Sequence, residues 1–134
     1  MTARYLIDTD WTIHYLSGRQ PIIERLQALQ PAGLALSIVS LAELYEGVLY
    51  STEPPANERA LRDFLAVVEV VGIDRDTARR FGQERGRLRA AGLLIADADL
   101  LIGSTALTHG LILLTNNRRH FERLEGLLIE SSVT

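Results

Sequence analysis

The chain predicts an α/β fold, a three-layer α/β/α sandwich with a central, mainly parallel sheet of four to five strands. Three observations carry this. Short apolar runs alternate with longer helical patterns along the 134 residues. The runs are nearly continuous in apolar residues, as strands covered on both faces are. Glycines and acids stand where those helical patterns need a stop or a cap.

The elements follow in order. Tyr5-Leu6-Ile7 reads as a buried strand running into Asp8-Thr9-Asp10, and a helix follows from about Trp11 to Leu16, with Thr9 and Asp10 better spaced than Asp8 to cap it. Pro21 suits a first helical turn, and Ile22, Ile23, Leu26 and Leu29 continue at helical spacing to Pro31-Ala32-Gly33. Leu34 to Ser37 is a second strand. Ser40 can cap a third helix through about Tyr50, with Leu41, Leu44, Tyr45 and Val48 on its inner face. After a loop from Ser51 to Pro55, Glu58 to Ala66 reads as helix and Val67 to Ile73 as a third strand. Asp74 caps a polar helix from about Arg75 to Ala91, closed by Gly92. A small-residue helix from about Ala98 to His109 is stopped by Gly110, and Leu111 to Leu114 is a buried strand ending in Thr115-Asn116-Asn117. A short helix from Arg118 to Leu124 and a last strand at Leu127 to Glu130 finish the chain.

Length and composition fit one domain over residues 1–134, large enough to fold without staples. With 47% apolar and 23% charged residues the chain is globular, and no apolar run approaches the roughly 20 residues that span a bilayer. The first residues lack the pattern of a secretory signal, and the absence of cysteine agrees with a cytoplasmic location. A net charge of −3 argues against unspecific nucleic-acid binding, so a nucleic-acid role needs a local basic patch. All fourteen basic residues are arginine, which excludes a lysine nucleophile or lysine phosphate anchor.

Three acids and an amide fall at comparable structural points. Asp8 follows the first strand, Glu43 lies in the first turn of the third helix, Asp99 opens the central helix, and Asn117 follows the next strand. In a parallel sheet these points share the carboxyl edge, where converging carboxylates repel one another unless a cation neutralises them. Hard oxygen ligands of this kind suit Mg²⁺, with Mn²⁺ as a substitute, and the chemistry such a set supports is hydrolysis of a phosphodiester by metal-activated water. Each residue also has a local explanation. Ser40-Leu41-Ala42-Glu43 fits a capping box. Asp97 and Asp99 point to different helix faces, so Asp97 reads as the cap and Asp99 as the inward acid. Asn117 is also ordinary turn chemistry, and Asp74 serves as a control for which capping alone suffices.

Together these segments resemble the PIN-domain ribonucleases, and most closely the VapC-type toxins of type II toxin–antitoxin pairs. The likeness rests on YLIDTDWTI, SIVSLAELYEGVLYS, DADLLIGSTALTHGLILLTNN and HFERLEGLLIE, in that order over nearly the whole chain. It implies that Asp8, Glu43 and Asp99 are catalytic acids that bind Mg²⁺. It further implies an endoribonuclease acting on an RNA substrate, a homodimer or toxin–antitoxin hetero-oligomer, and silencing by a cognate antitoxin whose C-terminal segment covers the site. A fourth acid found in many members falls on Asn117, which brings an oxygen but no charge. Thr115 matches a hydroxyl frequent at that strand end, and Gly103-Ser104 replaces the usual Ala-Ala with residues of similar smallness.

Outside that constellation, Arg75, Arg79, Arg80, Arg85, Arg87 and Arg89 crowd one helix against Asp76 and Glu84. This reads as a solvated face with pairs such as Arg80–Glu84, or as a contact for phosphates or an acidic antitoxin segment. Arg118 and Arg119, just beyond the active edge, are better placed for phosphates. His14, His109 and His120 lack ligand spacing, and Trp11, Phe64, Phe81 and Phe121 read as core. Two other functions compete. Asp8-Thr9-Asp10-Trp11-Thr12 resembles the nucleophile motif of haloacid-dehalogenase phosphatases, with Asp8 as nucleophile and Asp10 as acid and base, but that family's lysine is absent. A catalytically weak PIN-like module that acts only by binding protein is the non-enzymatic alternative, prompted by Asn117.

Overall fold

In the computed structural model, which describes residues 2–132, five strands form one sheet: β1 (Tyr5–Ile7), β2 (Leu34–Ser37), β3 (Glu69–Val71), β4 (Ile112–Leu114) and β5 (Ile129–Glu130). Their order is β3-β2-β1-β4-β5, and every neighbouring pair is parallel. Seven helices accompany them: α1 (Thr9–Leu16), α2 (Gln20–Leu29), α3 (Ile38–Leu49), α4 (Pro54–Leu65), α5 (Arg75–Ala91), α6 (Asp97–His109) and α7 (Arg118–Phe121). The expected three-layer α/β/α sandwich is what forms.

The layers follow from strand alternation. Register sets Ile7 beside Leu36 and Leu114, and Leu6 beside Ala35 and Leu113. Leu6, Ala35 and Leu113 face a core with Leu88 of α5 and Leu100, Ile102 and Ala106 of α6. Ile7, Leu36 and Leu114 face the opposite core, filled by Trp11 of α1, Ile22 and Leu26 of α2, Leu44 of α3, and Leu61 and Phe64 of α4. Strands apolar on both faces therefore need helices on both. Among the described residues, no helix is long and apolar enough to cross a membrane.

Several boundaries differ from those expected. Asp8, rather than Thr9 or Asp10, occupies the cap position of α1. Ser37, not Ser40, caps α3 by accepting a hydrogen bond from Val39 N at 3.1 Å. Helix α4 starts at Pro54 because proline costs nothing in a first turn, whose amides have no partner anyway. Strand β3 shrinks to three residues at the sheet edge, with Val67 and Ile73 left exposed outside it. Strand β5 shrinks to two residues, and α7 stops at Phe121. Asp74 does cap α5, accepting from Thr77 N at 2.8 Å. Gly110 ends α6 at a φ of 65°, a left-handed position that suits glycine.

Two close contacts fix the α5–α6 side. A Cβ on Gly103 would meet the tip of the Leu124 side chain, so a larger residue there makes Leu124 shift. Glu84 is buried and pairs with Arg87 at 3.1 Å, rather than with Arg80, while also accepting from Glu125 N at 3.1 Å. Arg87 in turn donates to Arg123 O at 2.7 Å. Part of the basic helix face is thereby engaged in holding the segment after α7.

Candidate active site

In a parallel sheet the crevice opens where adjacent strands send their following helices to opposite faces. Strands β1 and β4 meet that condition. They are neighbours, and Trp11 of α1 lies in one core while Phe121 of α7 lies in the other. The residues after these two strands, Asp8 to Asp10 and Thr115 to Asn117, share one edge.

Asp8 is buried at the centre of that edge, 4% exposed. Its backbone N–H donates to Leu114 O at 2.9 Å, extending the β1–β4 ladder by one residue. Its Oδ1 accepts from Thr9 N at 2.8 Å and its Oδ2 from the Thr115 hydroxyl at 2.7 Å. Burial pushes the Asp8 carboxyl up to about 7, and the nearby charges of Asp10 and Asp99 add to it against the two hydrogen bonds. Thr115 Oγ1 also accepts from Asn117 N at 2.9 Å, so one hydroxyl sets both the acid and the turn that follows β4.

Asp99 approaches from the first turn of α6 and is partly buried. Burial raises its carboxyl above the usual range and Asp10 adds to this, while His120 opposes it. His120 Nδ1 lies 3.5 Å from Asp99 Oδ2 and 3.1 Å from Asn117 Nδ2. Asp97 does not cap α6: Ala96 holds the cap position, and Asp97 Oδ1 pairs with Arg85 Nε at 3.0 Å, turned away from the site. The two-residue offset separates the acids as expected; an arginine from α5 decides what Asp97 does.

Glu43 is exposed on α3 and is linked to the same edge through Thr9. Thr9 Oγ1 lies 2.8 Å from Glu43 Oε1 and 2.9 Å from Ser40 Oγ. The single hydroxyl proton goes to the carboxylate, and Ser40 donates to the lone pair that remains. The expected capping box is absent because the helix starts three residues earlier, leaving Ser40 buried against α1.

Three neighbours were not singled out for this site from sequence. Asp10 accepts from Trp11 N at 2.7 Å and Asn116 N at 3.1 Å, tying the start of α1 to the end of β4. Each of its oxygens accepts one backbone hydrogen bond, which fixes the carboxylate's orientation at this edge. Asn116 Oδ1 accepts from Trp11 Nε1 at 2.9 Å and from Ser132 N at 2.8 Å. His120 is the third. The signal for the first two was the pairing of β1 with β4, which sets 8–10 against 115–117.

The donor set suits a hard divalent ion: clustered carboxylates, one of them buried beside two others, whose repulsion a cation relieves. Among the described residues, no group of three or more Asp, Glu or His side chains is arranged to hold an ion by itself. Asp8 and Asp99 come together, while Glu43 stands off at Thr9. That sparse arrangement matches the habit of Mg²⁺, which takes one or two carboxylates and keeps much of its water.

Beside this edge runs a cleft of about 380 Å³ between α1, α3 and α4, lined by Ile13, Leu16, Leu44 and Val48, with Glu43 and Asn57 as polar wall residues. It is mainly apolar and joins the site at Glu43.

The comparisons with known proteins bear on the family and the fold. The family model for the PIN domain matches residues 5–127. Ribonuclease VapC2 of Haemophilus influenzae is 34% identical over 131 residues, covering 97% of this chain and 98% of its own length. The tRNA(fMet)-specific endonuclease VapC of Salmonella typhimurium is 30% identical over 127 residues, covering 95% and 96%. A crystal structure of VapBC2 from Rickettsia felis, bound to a DNA fragment from their promoter, contains a chain that superposes with a TM-score of 0.91 at 29% identity, covering 96% of this chain and 98% of that one. The strand order, the acids at the β1–β4 crevice and these full-length matches converge: the chain belongs to the PIN-domain family, among its VapC ribonucleases.

Proposed function

We propose that this chain is the endoribonuclease toxin of a toxin–antitoxin pair and that it hydrolyses RNA phosphodiesters with Mg²⁺. The observation that carries the reading is the Asp8 carboxyl, buried beside Asp99 and Asp10 at the β1–β4 crevice, where it keeps its proton up to about pH 7 unless a cation stabilises the charged form. The ribonuclease names of the relatives support the reaction class, and tRNA(fMet), named for the Salmonella relative, is the first RNA to try.

Asp8 and Asp99 would hold the ion, which supplies positive charge to polarise water and to steady charge developing on the phosphate. Thr115 and the Thr9 amide hold Asp8 in one orientation, so little rearrangement is needed as it ionises. Glu43, fixed by Thr9 at the open side of the site, offers an acceptor that orients an incoming water. Arg118 is engaged by Glu122 at 3.0 Å and by Ser131 Oγ at 3.2 Å, whereas exposed Arg119 has no ion-pair partner among the described residues and meets the RNA backbone.

Cleavage of RNA by the purified chain, free of antitoxin, tests this with Mg²⁺ or EDTA and with Asp99→Asn alongside. Discrete fragments should form with Mg²⁺ and vanish with EDTA and in the variant. Intact RNA in every lane, from folded protein, overturns the reading in favour of the binding-only alternative.

The partner in this reading is a cognate antitoxin whose apolar segment lies in the cleft beside Glu43. Gly47 lines that cleft, and a Cβ there meets nothing within 4 Å. Gly47→Phe should therefore fill the cleft without disturbing the fold, and replacing an interior helical glycine favours α3 slightly. Titration calorimetry with the antitoxin segment should show affinity at least about tenfold weaker, as expected when a buried apolar contact is blocked. An unchanged affinity places the segment elsewhere.

A further inference from the structure

We infer that the site takes up one divalent cation per chain, because His120 and Asn117 occupy the corner where a second would bind, His120 acting as the positioning residue for Asp99. The inference rests on the ion-dependent reading above. A second hard cation beside Asp99 would be held most firmly by an anionic oxygen at position 117 and a free oxygen on Asp99 facing it. Asn117 brings no charge, and His120 is already seated against Asp99 Oδ2 with Nδ1 at 3.5 Å. The same Nδ1 lies 3.1 Å from Asn117 Nδ2, and the two contacts constrain each other. If the amide donates to Nδ1, the imidazole turns a lone pair on Asp99. With the amide turned over, Nδ1–H serves Asn117 Oδ1 and Asp99 Oδ2 together, the arrangement an ionised Asp99 favours. A neutral imidazole suffices for this.

The remaining acids do not restore a second set. Asp10 is tied by the Trp11 and Asn116 amides to the β1–β4 side of the site, and Glu43 is tied to Thr9 at the start of α1, so neither takes the place of an acid at 117. His120 thus does for the outer oxygen of Asp99 what a second ion would do: it fixes the carboxylate's orientation.

Mn²⁺ binding to the whole chain, counted by titration calorimetry and by electron paramagnetic resonance of free ion, tests this without reference to cleavage. Wild type should bind one Mn²⁺ per chain. Asn117→Asp alone should still bind one, because His120 remains in the corner, whereas Asn117→Asp with His120→Ala should bind two. Asn117→Asp with His120→Asn, whose amide can put a donor near the former Nδ1, should return to one. Two ions in wild type, or one in the Asn117→Asp/His120→Ala protein, overturns the inference while leaving ion-dependent cleavage intact. No uptake by wild type overturns both.

Discussion

Asp8→Asn is expected to cut RNA cleavage about 10³-fold and, in protein stripped of divalent ions, to raise the melting temperature above neutral pH. The two effects have one cause. The folded chain holds the Asp8 carboxyl at about 7, against 3.8 for an ordinary aspartate, chiefly through burial. Between those values the folded chain keeps a proton that the unfolded chain has released, so folding is favoured at low pH. That contribution is full below about 3.8 and is lost as pH rises through about 7. Asp99 shifts in the same direction. Asp74, held low by the Thr77 amide, shifts oppositely. So does Glu84, held low by hydrogen bonds from Arg87 and the Glu125 amide despite its burial. Those two weaken the fold only as pH falls into the carboxylate range, below the window concerned.

In EDTA the wild-type melting temperature should therefore drop between pH 5 and pH 8, and Asp8→Asn should flatten most of that drop, standing roughly 5 °C higher at pH 8 if one to two kcal/mol is recovered. Mg²⁺ should raise wild type more at pH 8 than at pH 5, since it binds the ionised carboxylates, and should do little for the variant. Cleavage by the variant should fall about 10³-fold, the several kcal/mol that such an ion supplies. Thermal melts across pH with and without Mg²⁺, beside initial cleavage rates, check both halves. A variant as inactive as expected but with an unchanged pH profile removes the burial argument.

How much of this was legible in sequence divides by range. The apolar runs of β1, β2 and β4, the Asp74 cap and the glycine stops at Gly92 and Gly110 are local matters, written in residue type and spacing, and the structure has them where expected. Asp8 and Asp99 are brought together because strand ends and helix starts in a parallel sheet share an edge. What failed was the assignment of caps. Ser37 caps α3 because the backbone there is already extended from β2, which releases Ser40 to meet Thr9, thirty-one residues away. Asp97 is held by Arg85 across a helix pair, a choice that propensity does not encode. His120 stands twenty-one positions after Asp99 and meets it only because α7 folds back over the start of α6. Such contacts have no period in sequence, and they are the ones that shape the corner beside the acids.

Phe121→Ala should be among the most damaging substitutions outside the acids, because Phe121 anchors the element carrying Asn117 and His120. Helix α7 has four residues, too few to persist by backbone hydrogen bonding alone. Its hold on the core is the fully buried ring of Phe121, whose Cδ1 lies 3.5 Å from where a Cβ on Gly103 would be, with Leu124 closing the contact. Removing the ring should cost about 3–5 kcal/mol, lowering the melting temperature by roughly 10 °C or more. The cost should be felt locally first. With α7 loosened, His120 leaves Asp99 and the turn at Asn117 frays, so cleavage should fall at temperatures where the rest of the sheet is still folded. Hydrogen exchange should show amides of 118–124 losing protection while those of β1 and β2 keep theirs. Phe121→Leu, which retains much of the apolar volume, should lose less on every measure. If Phe121→Ala lowers stability but leaves exchange at 118–124 as slow as in wild type, α7 is held by its Arg118 contacts with Glu122 and Ser131 instead, and the corner beside Asp99 does not depend on the core beneath it.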